Sequence, residues 1–432
     1  MRRYVIVGMG VAAISAAETI HRRQPQSQIL VISDDPFGFY SRPGLAYYLT
    51  GEIDEKQLFP FTSEELRHLQ AKFIHGRVEQ IDRSEHQIEL SDGRRMPYDS
   101  LLLAVGAEAI GLNVPGSDLK GVFKLDTLSD ARAILQASRR SKRAVVIGGG
   151  ITALELVEGL LSQRVHVSYF LRSERYWSSV LEEQESLLIE ERLMREGVDL
   201  LHQVEVTEIL GKRDHVEAVR LRDGRIIHCD LVAYAIGVQP RISLASRAGL
   251  QVDRGILVNE FMQTDDPDIF AAGDVAQVYD PLVGRPVCDT LWNPAREQGK
   301  VAGLNMTGQE TPYLRSIPFN VTRLAGITTT IIGAVGRGGQ DNDVTGIARG
   351  DSEIFRALPD AIMAQSGFDI NRLRLIFVQR HLLGAVVMGN QMLSFPLQEI
   401  IQKKIDISAI REALLQPNAR IADVIANWWA QL

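Results

Sequence analysis

The chain is short of cysteine: among 432 residues only Cys229 and Cys288 occur. Two thiols 59 positions apart form no CxxC pair, no zinc ligand set and no disulfide framework, so no metal site is expected and any redox chemistry must come from a cofactor. Long apolar runs are missing too. Leu101–Val105 and Leu382–Met388 fall far short of the roughly 18 residues of a membrane span. Nor is there a surplus of positive charge: 47 Lys and Arg face 54 Asp and Glu, which argues against nucleic acid or an anionic lipid surface as a partner. The basic start Met1-Arg2-Arg3 imitates a signal peptide, but glycines interrupt the run behind it, and a cytoplasmic protein is expected.

What is present is glycine in two patterned places. Tyr4–Val7 reads as a buried strand, Gly8-Met9-Gly10-Val11-Ala12-Ala13 as the turn into a helix reaching Arg23, and Ile29–Ser33 as a second strand ending at Asp34. In this βαβ context Gly8 allows the tight turn and Gly10 lets a pyrophosphate approach the helix N-terminus. Ala13 lets helix and strand pack, and Asp34 suits a ribose diol. The pattern recurs: strand Arg143–Ile147, turn Gly148-Gly149-Gly150-Ile151-Thr152-Ala153, helix Leu154–Leu161 and strand Val165–Phe170. Two dinucleotide sites in one chain suggest electron transfer between two dinucleotides.

Between the two units lie a strand-rich stretch, Phe73–Leu90, and Tyr98–Gly106, a strand ending in a glycine. After them come Leu231–Gly237 and Gln263–Asp274, the latter ending Ala272-Gly273-Asp274. With these segments the chain resembles, over essentially its full length, the FAD-dependent pyridine nucleotide-disulfide oxidoreductases, in particular the ferredoxin, rubredoxin and nitrite reductase-like branch that lacks redox cysteines. The resemblance implies an α/β fold with two Rossmann-like domains and a smaller C-terminal α/β interface domain. It puts a discontinuous FAD domain at 1–115 and 241–310, an NAD(P)H domain at 116–240 and the interface domain at 311–432. It also implies that the first fingerprint and Asp274, with Gly106 and Gly273 in its supporting turns, hold FAD, while Gly148, Gly150 and Ala153 hold the nicotinamide nucleotide.

Where the one-cysteine members have a nucleophile, this chain has Pro43 in Pro43-Gly44-Leu45-Ala46-Tyr47-Tyr48, so dithiol chemistry is excluded there. Arg42 and Pro43 match the ferredoxin-reductase pattern, whose lysine falls at Tyr47; Glu155, the partner of that lysine, is kept. Glu155 is thus a candidate orienter of the nicotinamide and Tyr47 either a substitute donor or packing under the flavin edge. Trp292–Gly299 leads into a helix Lys300–Met306 and resembles the family's segment beside the flavin ring, which implies Trp292 among the cofactor contacts; the alternative is a helix that only closes the FAD domain. Leu171-Arg172, without an acid at the strand end, reads as NADPH, although Glu174 keeps NADH open.

Arg139, Arg140, Lys142 and Arg143 form a basic cluster that is either a solvated face or a dock for an acidic carrier. In the tail, Leu373–Val378, Leu382–Met388 and Ile405–Leu415 read strand, strand, helix. Ile421, Val424, Ile425, Trp428, Trp429 and Leu432 make one apolar stripe for the core, a homodimer or a membrane surface. The expected function is transfer of a hydride from NAD(P)H to FAD and of electrons to a small iron–sulfur or rubredoxin-type carrier. A quinone reductase and a signalling flavoprotein like apoptosis-inducing factor are the alternatives.

Overall fold

The computed structural model describes residues 1–280, 284–335, 372–416 and 419–432. The part of the expected interface domain at 336–371 lies outside the described residues.

Tyr4, Val5 and Ile6 are fully buried, as a strand covered on both faces requires. Arg3–Val7 is the central strand of a five-stranded parallel sheet in the order Ile269–Ala271, Ser100–Leu103, Arg3–Val7, Gln28–Ser33, Ala71–His75. The strand just before Gly273 therefore returns to the sheet that holds the first glycine turn. A second parallel sheet repeats the plan in the order Asp199–Leu201, His166–Phe170, Arg143–Ile147, Leu231–Tyr234, Val122–Lys124. Each sheet has a three-stranded antiparallel companion, Val78–Asp82 with Gln87–Leu90 and Arg95–Pro97 in one case, Val206–Lys212 with His215–Leu221 and Ile226–His228 in the other. The two units are joined where Ala107–Ala109 pairs antiparallel with Val238–Pro240.

The helix Val11–Arg23 buries Ala12, Ala13, Ala16, Ala17 and Ile20 and ends in His21-Arg22-Arg23, cations that suit its carbonyl end. Against that alanine face packs Trp292–Met306. This helix starts two turns earlier than the expected Lys300, because Pro294 stands in the first turn, where no amide partner is lost. Its glycines serve the crossing rather than breaking it. A Cβ at Gly299 would stand 2.1 Å from the Ala12 carbonyl oxygen, and one at Gly303 would stand 2.9 Å from that of Ala16.

The C-terminal segment is an antiparallel sheet in the order Phe319–Leu324, Ile327–Gly333, His381–Met388, Arg372–Val378. The two expected strands are present and pair with each other, but the two strands before them and the helix Ser394–Gln402 have no strong periodic signal in so short a span. The helix expected from Ile405 begins at Ser408, since the Asp406 side chain accepts the Ser408 amide at 2.8 Å and holds a turn there. The terminal helix Ile421–Trp429 seats Ile425 fully in this segment's own core, with Val424, Trp428 and Trp429 packed around it. Leu432, past the helix end, is exposed.

Ion pairs and backbone bonds pin this sheet to both nucleotide units. Arg374 donates to Glu185 at 2.9 Å and to the Val180 carbonyl at 2.6 Å, and Arg192 donates to the Ala325 carbonyl at 2.8 Å. Arg323 donates to Glu52 on the other side.

The packed crossing at Gly299 predicts that Gly299→Ala, one methyl group against a backbone oxygen, costs about 1–3 kcal/mol by overpacking. A thermal melt should show the loss; an unchanged transition would mean that the two helices separate readily.

Candidate functional site

Both glycine turns are built by the same steric demand. Gly8 has φ +112°, and a Cβ on it would lie 2.1 Å from the Ala104 carbonyl oxygen; Gly148 has φ +145°, with the Ala235 carbonyl oxygen at 2.2 Å. Only glycine fits there. Their companions differ: around Gly10, Gly149 and Gly150 no atom lies within 4 Å of a built Cβ. Protein packing does not explain those glycines, whereas the approach of a ligand does. Gly10 and Gly150 are the N-caps of Val11–Arg23 and Ile151–Ser162, and neither helix has a side-chain cap. First-turn amides thus face an open cradle, the arrangement that accepts a pyrophosphate. Ala13 and Ala153 are both fully buried under their helices.

Around the first cradle, Asp34 is exposed at the end of the second strand. Arg42 lies between Asp35, at 3.8 Å, and the buried Asp126, at 3.7 Å, and donates to the Asp126 carbonyl at 3.1 Å. Burial would lower the Arg42 pKa, yet the charges of Tyr40, Asp126, Asp35 and Asp274 together hold it above its ordinary value. Asp126 is shared with Arg241, 3.3 Å away, whose own amide bonds the Gly106 carbonyl. Gly106, φ +67°, has open space where a Cβ would stand. Gly273, φ +82°, donates to Gln298 at 2.8 Å and so fastens the Asp274 turn to the helix Trp292–Met306. Trp292 itself is buried, its ring 6.0 Å from that of Phe39. It belongs to the packing around Ile14 and Phe39.

Around the second cradle, Arg172 is exposed. Glu174 is taken up by Arg175, which is buried and also donates to the Ser178 and Leu181 carbonyls at 3.5 Å. The carboxylate next to Arg172 is thus neutralised from within the loop. The basic run Arg139–Arg143 stands at the start of the strand whose other end carries Gly148. Five strand residues, about 16 Å, separate the two, so a carrier docked among Arg143, Lys212, Arg213 and His228 would be remote from the glycine turn.

Pro43 opens the helix Gly44–Thr50, which packs on Ile151–Ser162 where Gly159 meets Leu49; a Cβ there would lie 2.9 Å from the Leu49 Cβ. That contact brings Tyr47 and Glu155, on partly buried faces, to the junction of the two units. Sequence reasoning missed Glu158, three positions on from Glu155. Burial pushes its carboxyl up to about 8, with Arg323 pulling it down and Glu155, Glu196 and Glu52 adding to the rise. It also missed Arg323, whose guanidinium carbon sits 5.7 Å from the Tyr47 ring centroid. The i, i+3 spacing of the two glutamates was a visible signal; Arg323 had none.

A family model, "Pyridine nucleotide-disulphide oxidoreductase", matches residues 2–299. The chain belongs to that family. FAD and a nicotinamide nucleotide are the family's cofactors, and the two cradles fit them by their open glycines and uncapped helices. Similar proteins include the nitrite reductase [NAD(P)H] of Bacillus subtilis, 30% identical over 96% of this chain and 49% of that protein, and the rubredoxin-NAD(+) reductase of Ectopseudomonas oleovorans, 30% identical over 71% and 80%. The chain spans about half the length of the first of these. Among solved structures, the putidaredoxin reductase in its covalent complex with putidaredoxin superposes with a TM-score of 0.81, 26% identity, over 99% of this chain and 98% of that one.

Family members with redox thiols place a cysteine where this chain has Pro43, and neither cysteine here replaces it. Burial, with Asp230 adding, pushes the Cys229 thiol up to about 12, and burial pushes Cys288 up to about 11. At pH 8 a thiol titrating near 11 is thiolate in about one part in a thousand. Alkylation of the folded protein by iodoacetamide should therefore be slow at pH 8 and keep accelerating through pH 9.5; a rate that levels off below pH 8 would reveal an activated thiol.

Proposed function

We propose that the chain is an FAD-dependent NAD(P)H oxidoreductase that passes electrons to a small electron-carrier protein without a redox disulfide. The observation that carries this reading is the pair of open glycine cradles, each at an uncapped helix N-terminus, in a chain with no activated thiol. When bound, the nicotinamide supplies a hydride and the flavin accepts it and releases electrons to a further acceptor.

In this reading the division runs as the two parallel sheets suggest: 1–115 with 241–310 around FAD, 116–240 around the nicotinamide nucleotide, and 311–432 as the interface domain. Gly8, Gly10, Ala13, Asp34, Arg42, Gly106, Gly273 and Asp274 serve FAD. Asp34 would accept the ribose hydroxyls, and Arg42 and Asp274 would meet the pyrophosphate and ribityl region. Trp292, which opens the helix Trp292–Met306 and is buried beside Phe39, is a further cofactor contact in this reading. Gly148, Gly150 and Ala153 serve the nicotinamide nucleotide, and Glu155 and Tyr47 line the passage between the two. A rubredoxin-type or iron–sulfur protein is the acceptor class favoured by the relatives' names, with a nitrite-reducing partner as the form suggested by the similarity to a nitrite reductase.

NADPH is favoured over NADH. Arg172 is exposed at the strand end, and Glu174 is occupied by Arg175, so a 2′-phosphate would meet a cation and no uncompensated carboxylate. Arg172→Met should cost about 1.5–3 kcal/mol of the preference, measured as a fall in kcat/KM for NADPH with that for NADH unchanged; an equal loss with both nucleotides would contradict the assignment. Gly10→Glu, at a position with room for a side chain in the protein alone, should fold and lose its FAD. Retention of stoichiometric flavin by the folded variant would refute the first cradle as its site.

A further inference from the structure

The basic turn at 139–143 has no task in the electron transfer described above. It joins the helix Leu128–Ser138 to the strand Arg143–Ile147, at the end of the second parallel sheet opposite the Gly148 cradle. Arg139, Arg140, Lys142 and Arg143 are all exposed. A second element meets them there. The hairpin turn between Val206–Lys212 and His215–Leu221 brings exposed Lys212 and Arg213 to Arg143, and with His215, His228 and Asp230 they line an open cleft of about 570 Å³.

These cations lack what other cations close by possess. In the same antiparallel sheet Arg220 holds Glu208 at 2.9 Å, and beside it Arg222 holds Glu205 and Arg225 holds Asp223, both at 2.7 Å. Among the described residues no carboxylate pairs with Arg139, Arg140, Lys142, Arg143, Lys212 or Arg213. Asp214, inside the hairpin turn, is taken by Lys120 at 2.8 Å. The Asp230 carboxylate accepts the backbone amides of Lys142 and Arg143 at 2.9 and 3.0 Å, and so orders the turn instead of pairing with its side chains. Asp230 and Glu217, the carboxylates lining the cleft, offset two of the six cations. The carbonyl end of the helix Leu128–Ser138 adds only about half a negative charge. A positive face therefore stands on a chain whose formal net charge is −7.

The face's own chemistry selects among anionic ligands. Its apolar lining residues, Val216 and Cys229, are buried, so no side chain of the cleft would enter a bilayer. A nucleic acid would run on past the face and meet a surface that is acidic in sum. A compact acidic protein covers this face alone, and the four arginines among the six cations present forks that match carboxylates.

We propose that the face formed by the turns at 139–143 and 212–215 docks an acidic protein surface, at a site separate from the nucleotide cradles. The strand Arg143–Ile147 keeps it about 16 Å from Gly148, so a partner bound here leaves that cradle open. Docking at this end tethers a partner and does not draw electrons from it. The site lies beyond the oxidoreductase reading and holds with or without it.

The test is the fluorescence anisotropy of a labelled peptide of mixed Asp and Glu, titrated with the full chain at low salt and at about 0.15 M salt. Three double variants with the same change of charge are compared with the parent. Arg139→Glu with Arg140→Glu reverses one lip of the face, and Lys212→Glu with Arg213→Glu reverses the other. Arg222→Glu with Arg225→Glu is the control, because both arginines already hold carboxylates. The parent should bind the peptide, more weakly as salt rises. Each lip variant should lose affinity by about tenfold or more, and the control should lose far less; thermal melts matching the parent's show that the folds are intact. No binding by the parent at low salt, or equal losses in the lip and control variants, would overturn the proposal. Tighter binding of duplex DNA or of phosphatidylserine vesicles, lost in the same lip variants, would overturn it too by giving the face to a nucleic acid or a membrane.

Discussion

A missing Cβ, used twice, sets the geometry of the molecule. Gly8 sits on the Ala104 carbonyl and Gly148 on the Ala235 carbonyl, each so close that any other residue would push the first strand of its unit away from the next. These contacts fix where each strand stops and therefore where each helix begins, with uncapped amides facing outward. Everything that handles a dinucleotide then follows from position. The strand before Gly273 pairs beside Ser100–Leu103, and the Asp274 turn is fastened by Gln298 and backed by Ala12.

Charge organises the space between the cradles. Asp126, almost fully buried, is shared by Arg42 from the first unit and Arg241 from the segment leading back to it. A buried carboxylate of this kind is costly unless flanked by cations, and two supply the compensation. Across the junction, a cation from the C-terminal sheet, Arg323, donates to Glu52 and lies over the Tyr47 ring. That sheet is tied to both units, by Arg374 and Arg192 on one side and Arg323 on the other.

The doubly wound fold was legible because its signals are local: buried strand, glycine turn, alanine-faced helix, second strand. Arg3–Val7, Arg143–Ile147 and the paired helices fall within a residue or three of where the pattern puts them. Arg42, Asp274 and Glu155 could be picked out for the same reason, as each lies in or beside a patterned run. Arg323 could not. Its partner Glu52 is 271 positions away, and nothing near either residue in the sequence announces the other. The start of the helix at Trp292 was hidden by Pro294 and two glycines, residues that weaken a helix in isolation; Gly299 and Gly303 are favourable here only because Ala12 and Ala16 lie opposite. Trp292 stood out from its place before that helix, and it is buried there beside Phe39.

The central claim is that two cradles exchange electrons directly, with no thiol between them. The measurement that meets it most directly is the anaerobic absorbance of the bound flavin after rapid mixing of the purified parent with NADPH. Full bleaching of the oxidised flavin within seconds, unchanged in the protein with both cysteines replaced by serine, is the result this account predicts. A flavin that stays oxidised for minutes, or one whose reduction is lost with Cys229 or Cys288 while FAD remains bound, would contradict it.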